Sequence, residues 1–226
     1  MQDDKHDEAA LARVSRRRFL TQVALTGATA SAATAMPALG QEGKVARKST
    51  LAKGQASVAE TLARYALNLQ YEQLPPDVVA KAKSTILDTI GCAIGGYKAG
   101  PSQIAVKLAA NVTAKNNATV LCSGTQTSPD LAAFADGVMI RYLDLNDATR
   151  SGGGHPSDAF GALLAVTDYH KTDGKTFLLA SIIVYELYLG FFAGNRVRNR
   201  GWDHVIYTAL AGAAGIAKIM GMDRER

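Results

Sequence analysis

Cysteine is scarce in this sequence, which has only Cys92 and Cys122 among its 226 residues. The two residues do not form a CxxC motif, and neither has a histidine beside it. Two thiolates are too few to hold an iron–sulfur cluster or a structural zinc ion unaided. We therefore expect two buried free thiols, with oxidation of the pair as the alternative in an exported protein.

The sequence also lacks a basic stripe interleaved with aromatic residues, and aromatic residues make up only 7% of the chain. The 25 basic and 20 acidic side chains give a net charge of +5, and the pI is about 9.2. This balance favours small anionic ligands and argues against nucleic acid as a partner. An apolar content of 47% is typical of a globular protein.

A convincing membrane-spanning segment is lacking as well. The most apolar stretch, Phe177–Gly194, is interrupted by Glu186 and flanked there by two tyrosines. A charge at that position favours a buried core helix over a stable membrane span.

The N-terminal 40 residues resemble a targeting segment. Consecutive arginines at 16–18 precede Phe19-Leu20 and a weakly apolar run, and Ala38-Leu39-Gly40 offers small residues for cleavage. This order predicts a twin-arginine signal over residues 1–40, followed by a polar linker over residues 41–56. We therefore expect a periplasmic or otherwise exported protein; a disordered basic N-terminus on a cytoplasmic protein is the alternative.

Residues 57–226 show helical periodicity almost throughout. Ser57 with Glu60 forms a capping-box pattern, and Pro75-Pro76 separates the first two helices. Ala118–Cys122 is strand-like but too short to anchor a sheet. The sequence thus predicts an all-α helical bundle of about seven helices. Their predicted ranges are Ser57 to before Leu74, Pro76 to about Ile94, Ser102–Ala114, Pro129–Tyr142, Ser157–Tyr169, Thr176–Gly194 and His204–Met220.

The stretch Tyr142–Ser157 (YLDLNDATRSGGGHPS) is a polar loop between two of these apolar helices. His155 is its natural proton carrier, because its unperturbed pKa lies near neutrality. Asp144 and Asp147 are suited to orient that histidine, and Asn146 to donate to a substrate. The glycines at 152–154 allow backbone amides to approach an anion.

Two other interpretations of this loop remain open from the residues alone. Asp144 and Asp147 are equally suited to cap turns, with His155 an ordinary loop residue before Pro156. Asp144, Asp147 and His155 also have the chemistry of divalent-cation ligands, but no HxH, HExxH or DxDxDG pattern supports a metal site. We therefore expect no metal.

The loop resembles the signature of the MmgE/PrpD family, in which a Leu-Asp-Phe-Asn/Asp-Asp-Thr segment precedes a glycine-rich turn and His-Pro-Ser. ARYALNLQYEQLPPDVVAKAKSTILDTIGCAIGG resembles the family's opening helices, and GWDHVIYTALAGAAGIAKIMG resembles its later Asp-His helix. The resemblance covers roughly Val58 to Gly221. It implies a lyase or isomerase that uses no metal or other cofactor, acts on small di- or tricarboxylates and forms homodimers at full length.

The resemblance also implies roles for particular residues. Asp144, His155 and His204 correspond to catalytic positions. The chemistry of the loop itself predicts substrate-binding positions at Asn146, Asp147, Thr149, Gly153 and Gly154. Ala148 stands where the family has threonine, and a threonine follows at Thr149. The family's lysines, its tyrosine and its α+β lid domain belong to segments that this sequence does not contain.

These features together predict the helical N-terminal domain of a 2-methylcitrate dehydratase-like enzyme. The choice among dehydratase, decarboxylase and epimerase rests largely on residues outside the sequence. A truncated, non-catalytic helical remnant or dimerisation module is the alternative. We also expect self-association, because helices of the bundle would expose apolar surface.

Overall fold

The computed structural model describes residues 56–149, 154–194 and 197–223. The predicted signal segment at 1–40 and nearly all of the predicted linker at 41–56 lie outside the described residues. Seven α-helices and one two-stranded hairpin are found in the described part of the chain. They are α1 (Val58–Asn68), α2 (Pro76–Gly96), α3 (Gly100–Ala110), β1 (Ala118–Thr119), β2 (Gln126–Thr127), α4 (Pro129–Tyr142), α5 (Phe160–His170), α6 (Gly174–Gly194) and α7 (Ile206–Ile219). The predicted all-α bundle is therefore confirmed.

Helix α1 begins at the predicted capping box. The Ser57 hydroxyl accepts a hydrogen bond from the Glu60 backbone N–H at 3.1 Å, and the Glu60 carboxylate accepts one from the Ser57 N–H at 2.8 Å. The helix ends at Asn68, earlier than predicted, and a 3₁₀ turn at Tyr71–Gln73 leads to α2. Lys218 of α7 donates to the carbonyls of Leu67 and Leu69 at 3.0 and 2.9 Å, which satisfies acceptors at this helix end.

Helix α6 is the centre of the core. It is long and apolar enough to span a membrane by length and composition, but 61% of its apolar stretch is buried within the fold. Its buried side chains include Ile183, Val184 and Tyr188. The predicted core helix is confirmed.

Small residues bring neighbouring helices close together. A Cβ on Gly96 of α2 would lie 2.3 Å from the Met139 carbonyl oxygen of α4. A Cβ on Gly161 of α5 would lie 2.7 Å from the Ala133 carbonyl oxygen of the same helix α4. Helix α4 is thereby packed between α2 and α5, with the start of α5 beside Ala133 in the first half of α4.

The strand prediction was too long, and the prediction for one thiol was wrong. Ala118 pairs with Thr127 and Thr119 with Gln126 in an antiparallel hairpin. Cys122 lies in the hairpin turn with a φ of 61° and is exposed, whereas Cys92 is buried as predicted; both are free. Helix α3 also ends at Ala110 rather than at residue 114, and a coil leads from there to the hairpin.

Candidate active site

The polar loop connects the C-terminal end of α4 to a 3₁₀ turn, Pro156–Ala159, that runs into α5. Asn146 is buried beneath this connection and stabilises it by hydrogen bonds. It is 4% exposed, and its amide nitrogen donates to the Ser157 hydroxyl at 2.9 Å and to the Asp158 carboxylate at 3.0 Å. Both amide protons are therefore used within the loop. The predicted contact of Asn146 with a substrate stays a prediction.

Asp147 holds the loop through two different groups. Its carboxylate accepts a hydrogen bond from the Ser157 backbone N–H at 3.2 Å, and its backbone carbonyl lies 2.7 Å from Nδ1 of His155. A carbonyl oxygen only accepts hydrogen bonds, so Nδ1 of His155 carries a proton. In the neutral ring, Nε2 of His155 is consequently the unprotonated nitrogen.

His155 is 8% exposed, and its Nε2 faces two charged groups. The Arg141 guanidinium is 3.3 Å from Nε2, and the Asp144 carboxylate is 3.8 Å from it. Asp144 adopts a left-handed backbone conformation with a φ of 54°, one that aspartate tolerates better than most residues. Asp144 and His155, which the loop pattern predicts to lie together, are neighbours in the structure.

Arg141 was not identified from the sequence. From the last turn of α4 its guanidinium reaches Asp144 and His155, and its Nε lies 3.7 Å from the Asp158 carboxylate. Burial raises the pKa of Asp158, and the Asn146 hydrogen bond and the Arg141 charge oppose that rise. Asp144 lies beyond the end of α4, so the rule for i,i+3 pairs within a helix does not cover it, and its pairing with Arg141 follows from the left-handed turn at Asp144.

His204 lies in the turn before α7, two residues earlier than the helix begins. Its ring centroid is 6.2 Å from that of His155, although the two residues are 49 positions apart in the sequence. Its Nδ1 is 2.7 Å from Nη2 of Arg198 and 3.0 Å from the Asp203 carboxylate. Burial lowers the pKa of His204. The structure therefore brings both predicted histidines to one site.

Thr149 and Gly154 join the two sides of the loop by a reciprocal pair of hydrogen bonds. The Thr149 backbone N–H donates to the Gly154 carbonyl at 2.8 Å, and the Gly154 N–H donates to the Thr149 hydroxyl at 3.2 Å. The predicted anion contact of the Gly154 amide would have to replace the second bond. Gly153, also predicted to contact substrate, lies outside the described residues.

Two tyrosines of α6 close the buried side of the loop, and neither was assigned a role from the sequence. Tyr188 packs against Gly154 and is fully buried, and burial raises its pKa to about 12. Burial and the neighbouring Asp147 carboxylate raise the pKa of Tyr185. Both tyrosines occur within the apolar sequence of α6, so the sequence pattern does not distinguish them from ordinary core residues.

A cavity of about 500 Å³ lies beside the loop, between α2 and α6. Asp147 and Thr149 line it from the loop, and Lys81 lines it from α2. Phe192 lines it from α6, and the Phe192 ring is 6.5 Å from the His204 ring, centroid to centroid. Phe192 therefore both lines the cavity and neighbours His204.

The alternative ligand set of Asp144, Asp147 and His155 does not converge on one point. The Asp147 carboxylate bonds to the Ser157 N–H, whereas Asp144 faces Arg141. Over residues 56–149, 154–194 and 197–223, no group of three or more His, Cys, Asp or Glu side chains is arranged to hold a metal ion. The arrangement is suited to proton transfer at His155, next to a second imidazole and two guanidinium groups.

Comparison with known proteins gives one consistent result. The family model described as MmgE/PrpD N-terminal domain matches residues 60–226. The chain is 29% identical over 160 residues to a probable 2-methylcitrate dehydratase of Saccharomyces cerevisiae, a match covering 64% of this chain and 31% of the relative. It is 33% identical over 159 residues to the 2-methylcitrate dehydratase of Cupriavidus necator, covering 64% of this chain and 32% of that relative. With the enzyme of that name from Escherichia coli K12, identity is 30% over 152 residues, covering 62% and 32%. The chain thus spans about a third of the length of the curated relatives it matches.

Proposed function

The chain belongs to the MmgE/PrpD family through its N-terminal domain, and on that premise we propose that it is the helical part of a dehydratase for small di- or tricarboxylates. 2-Methylcitrate is the proposed substrate, because three relatives at 29 to 33% identity carry that activity in their names. The observation that carries the proposal is the pairing of His155 with His204 at a centroid distance of 6.2 Å. Two imidazoles at one site are suited to proton transfer near neutral pH.

The proposed reaction removes water from the substrate. Nε2 of His155 accepts a proton from the carbon next to a carboxylate, and the electron pair of that C–H bond becomes the new carbon–carbon double bond. The neighbouring C–O bond breaks, and its electron pair leaves with the hydroxyl oxygen. His155 returns its proton to that oxygen, so that water departs and the neutral imidazole is regenerated.

The groups around His155 have supporting roles in this proposal. Asp144 positions the imidazole through Arg141, which pairs with its carboxylate and lies 3.3 Å from Nε2; the carboxylate itself, 3.8 Å from Nε2, interacts with His155 directly only when that nitrogen is protonated. Arg141 shares that nitrogen and must move aside for proton uptake; Asp144 and Asp158 remain as its carboxylate partners when it does. His204 acts from the other side of the site.

Substrate contacts are proposed at Asn146, Asp147, Thr149, Gly153 and Gly154. The structural observations that support these contacts differ from residue to residue. Asp147 and Thr149 line the cavity beside the loop, so a ligand there can reach their side chains. Asn146 and Gly154 already have hydrogen bonds within the loop, and a substrate would exchange with those partners.

A binding and turnover assay with 2-methylcitrate tests the proposal. Binding is followed by calorimetry, and turnover by the ultraviolet absorbance of the new double bond. We expect His155→Gln to lower turnover by at least ~100-fold, because a general base contributes on the order of 10² to 10⁴ in rate. His170→Gln is the matched control, since His170 is an exposed histidine at the end of α5.

The same assay is run on the longer polypeptide where the reading frame continues past residue 226. Equal turnover for the His155 and His170 variants would contradict the role of His155. No binding and no turnover in either polypeptide would overturn the dehydratase assignment.

A non-catalytic helical module is the second candidate function. The charges around the loop favour it: three carboxylates, Asp144, Asp147 and Asp158, lie near the guanidinium of Arg141, while the second guanidinium, that of Arg198, lies beside Asp203. A polycarboxylate substrate requires an excess of cations where it binds. Calorimetry discriminates the two candidates, since a module of this kind would not bind 2-methylcitrate.

Location and assembly complete the proposal. We propose that the protein is exported by its N-terminal twin-arginine pattern, which the order of arginines, apolar run and small residues supports. We propose a homodimer for the full-length protein, as the family resemblance implies. Exposed apolar side chains on the bundle, among them Leu87 and Ile104, provide surface for such an association.

A further inference from the structure

The turn before α7 holds His204 by one ring nitrogen. Nη2 of Arg198 lies 2.7 Å from Nδ1, and the Asp203 carboxylate lies 3.0 Å from the same atom. A guanidinium only donates hydrogen bonds and a carboxylate only accepts them, so Nδ1 cannot bond to both; the shorter contact, to Arg198, is made when Nδ1 carries no proton. With that contact made, the neutral ring of His204 has its proton on Nε2.

Asp203 does not require a proton on Nδ1 to remain in place. Its carboxylate accepts a hydrogen bond from the Val205 backbone N–H at 3.0 Å. The Arg198 charge also acts on it, and both effects lower the pKa of Asp203. The Asp203 carboxylate is thus held by the Val205 N–H and by the charge of Arg198. It lies next to Nδ1 of His204, for which Arg198 is the hydrogen-bond donor.

The surroundings of His204 keep it neutral. Burial has the largest effect on its pKa and lowers it, and the charges of Arg198 and His155 lower it further. Asp203, and Asp158 from the loop, act in the opposite direction. Helix α6 contributes the uncharged ring of Phe192, 6.5 Å from the imidazole by centroid distance.

His155 has the opposite tautomer. Its Nδ1 donates to the Asp147 carbonyl, and its Nε2 is the nitrogen without a proton. Each histidine accepts a hydrogen bond from an arginine, but at different ring nitrogens: Nε2 of His155 from Arg141 and Nδ1 of His204 from Arg198. The two imidazoles therefore accept hydrogen bonds at different nitrogens, and so have their protons at different nitrogens.

We propose that Arg198 is a positioning residue that keeps His204 neutral with its proton on Nε2, so that His204 donates a hydrogen bond to a substrate oxygen while His155 exchanges protons. This inference rests on the proposed dehydratase function and divides the roles within it. A neutral imidazole stabilises charge that develops on a carboxylate or hydroxyl oxygen without giving up its own proton. The proton balance of the reaction then stays with His155 alone.

Nuclear magnetic resonance of the ligand-free chain tests this assignment. Protein labelled with ¹⁵N at histidine gives separate Nδ1 and Nε2 signals, and these report the tautomer and the titration of each ring. We expect His204 to have its proton on Nε2 at neutral pH and to titrate below the ordinary range. The exposed His170 serves as an internal reference.

Four variants test how Arg198 and Asp203 affect the tautomer and the pKa of His204. Arg198→Met removes the donor at Nδ1, so we expect a proton to appear there, shared with Asp203, and the His204 pKa to shift upward. Arg198→Lys should restore the wild-type tautomer, because an ammonium group also only donates. Asp203→Asn should shift the His204 pKa downward. Arg64→Met is the charge-matched control on the exposed face of α1 and should change neither.

Turnover gives a second readout. If the enzyme assignment is right, Arg198→Met should shift the acid side of the pH–rate profile upward, and Arg198→Lys should reverse that shift. A wild-type His204 protonated on Nδ1, or an Arg198→Met spectrum identical to wild type, overturns the inference. The expected tautomers without any turnover would contradict only the proposed dehydratase function. If Arg198→Met does not fold, the wild-type tautomer still decides the inference.

Discussion

The hydroxyl oxygen of Tyr188 lies so close to Gly154 that a Cβ at position 154 would be 2.5 Å from it. A Cβ there would also be 3.1 Å from the Phe192 ring. Both rings belong to α6, the core helix, and Tyr188 is fully buried there. Glycine at 154 is therefore needed for the approach of the loop to the core, one residue before His155.

Gly154→Ala should destabilise the protein by about 1 to 3 kcal/mol, the usual cost of inserting a methyl group into a packed site. Urea unfolding measures the change. Gly174→Ala is the matched control, because nothing lies within 4 Å of its Cβ position at the start of α6. Equal stability of the two variants would mean that the loop yields freely and that Tyr188 does not fix its position.

A second pair of glycines in α2 predicts opposite effects within one helix. Gly96→Ala would place a Cβ 2.3 Å from the Met139 carbonyl oxygen, so we expect a loss of at least ~2 kcal/mol in the free energy of unfolding. Gly91→Ala meets nothing within 4 Å and should add about 0.5 to 1 kcal/mol, because alanine favours the helix. Thermal and urea unfolding of both variants check the signs. A stable Gly96→Ala protein would show that α2 and α4 can separate without cost.

The pH dependence of stability should depend on Asp136. Its carboxyl is fully buried in α4, and one oxygen accepts from the Leu121 N–H at 2.9 Å. Burial raises its pKa from 3.8 to about 7. Between these values the folded state binds more protons than the unfolded state, so this group makes stability fall as pH rises from about 4 to about 7. The loss is complete above pH ~7 and amounts to at most about 4 kcal/mol.

Asp136→Asn should remove this dependence, since an amide oxygen can still accept from Leu121. Relative to wild type, the variant should therefore be more stable at about pH 8 than at about pH 5, as urea unfolding at both values would measure. Asp130→Asn, an exposed change in the same helix, is the control and should lack that gain. The same stability difference from wild type at both pH values would mean that Asp136 is ionised throughout.

Self-association should depend on the exposed face of α2. Leu87 and Ile94 are two helical turns apart and are 73% and 61% exposed. Replacing both with lysine should shift sedimentation toward a smaller species. Ala80→Lys with Ser84→Lys adds the same charge on exposed positions of α2 and should not. A compact monomer for the unmodified chain would contradict the expected self-association.

Export should depend on the arginines at 16–18. Lysine at all three positions keeps the charge but removes the guanidinium groups that define the pattern. We expect the variant to remain in the cytoplasm and to keep its N-terminal segment, as cell fractionation and N-terminal sequencing would report. Export of the lysine variant at the normal rate would exclude the twin-arginine route.

Local sequence signals predicted the helices well but predicted some of their ends poorly. The double proline placed the start of α2, and Ser57 with Glu60 placed the start of α1. The end of α1 at Asn68 was missed. Its terminal carbonyl at Leu67 is satisfied by Lys218, which is 151 residues away in the sequence. No local pattern contains a partner at that separation.

In the site, too, local patterns identified residues whereas contacts between distant segments were missed. The loop pattern identified His155 and Asp144, and the family resemblance added His204. Arg198 was not identified from the sequence, because its contact with His204 exists only once the turn folds back against the start of α7. Tyr188 was not identified from the sequence, since a buried tyrosine in an apolar run does not differ in pattern from a core residue.

The bond from Lys218 to α1 has a consequence for synthesis on the ribosome. Helix α1 emerges early, but the side chain that caps it is translated about 150 residues later, after roughly 8 to 30 s at ordinary elongation rates. Until then the apolar side of α1 has no α7 to pack against. Nascent chains halted before residue 218 should therefore leave α1 open to proteases and chaperones, while α2, α4 and α5 are already able to associate.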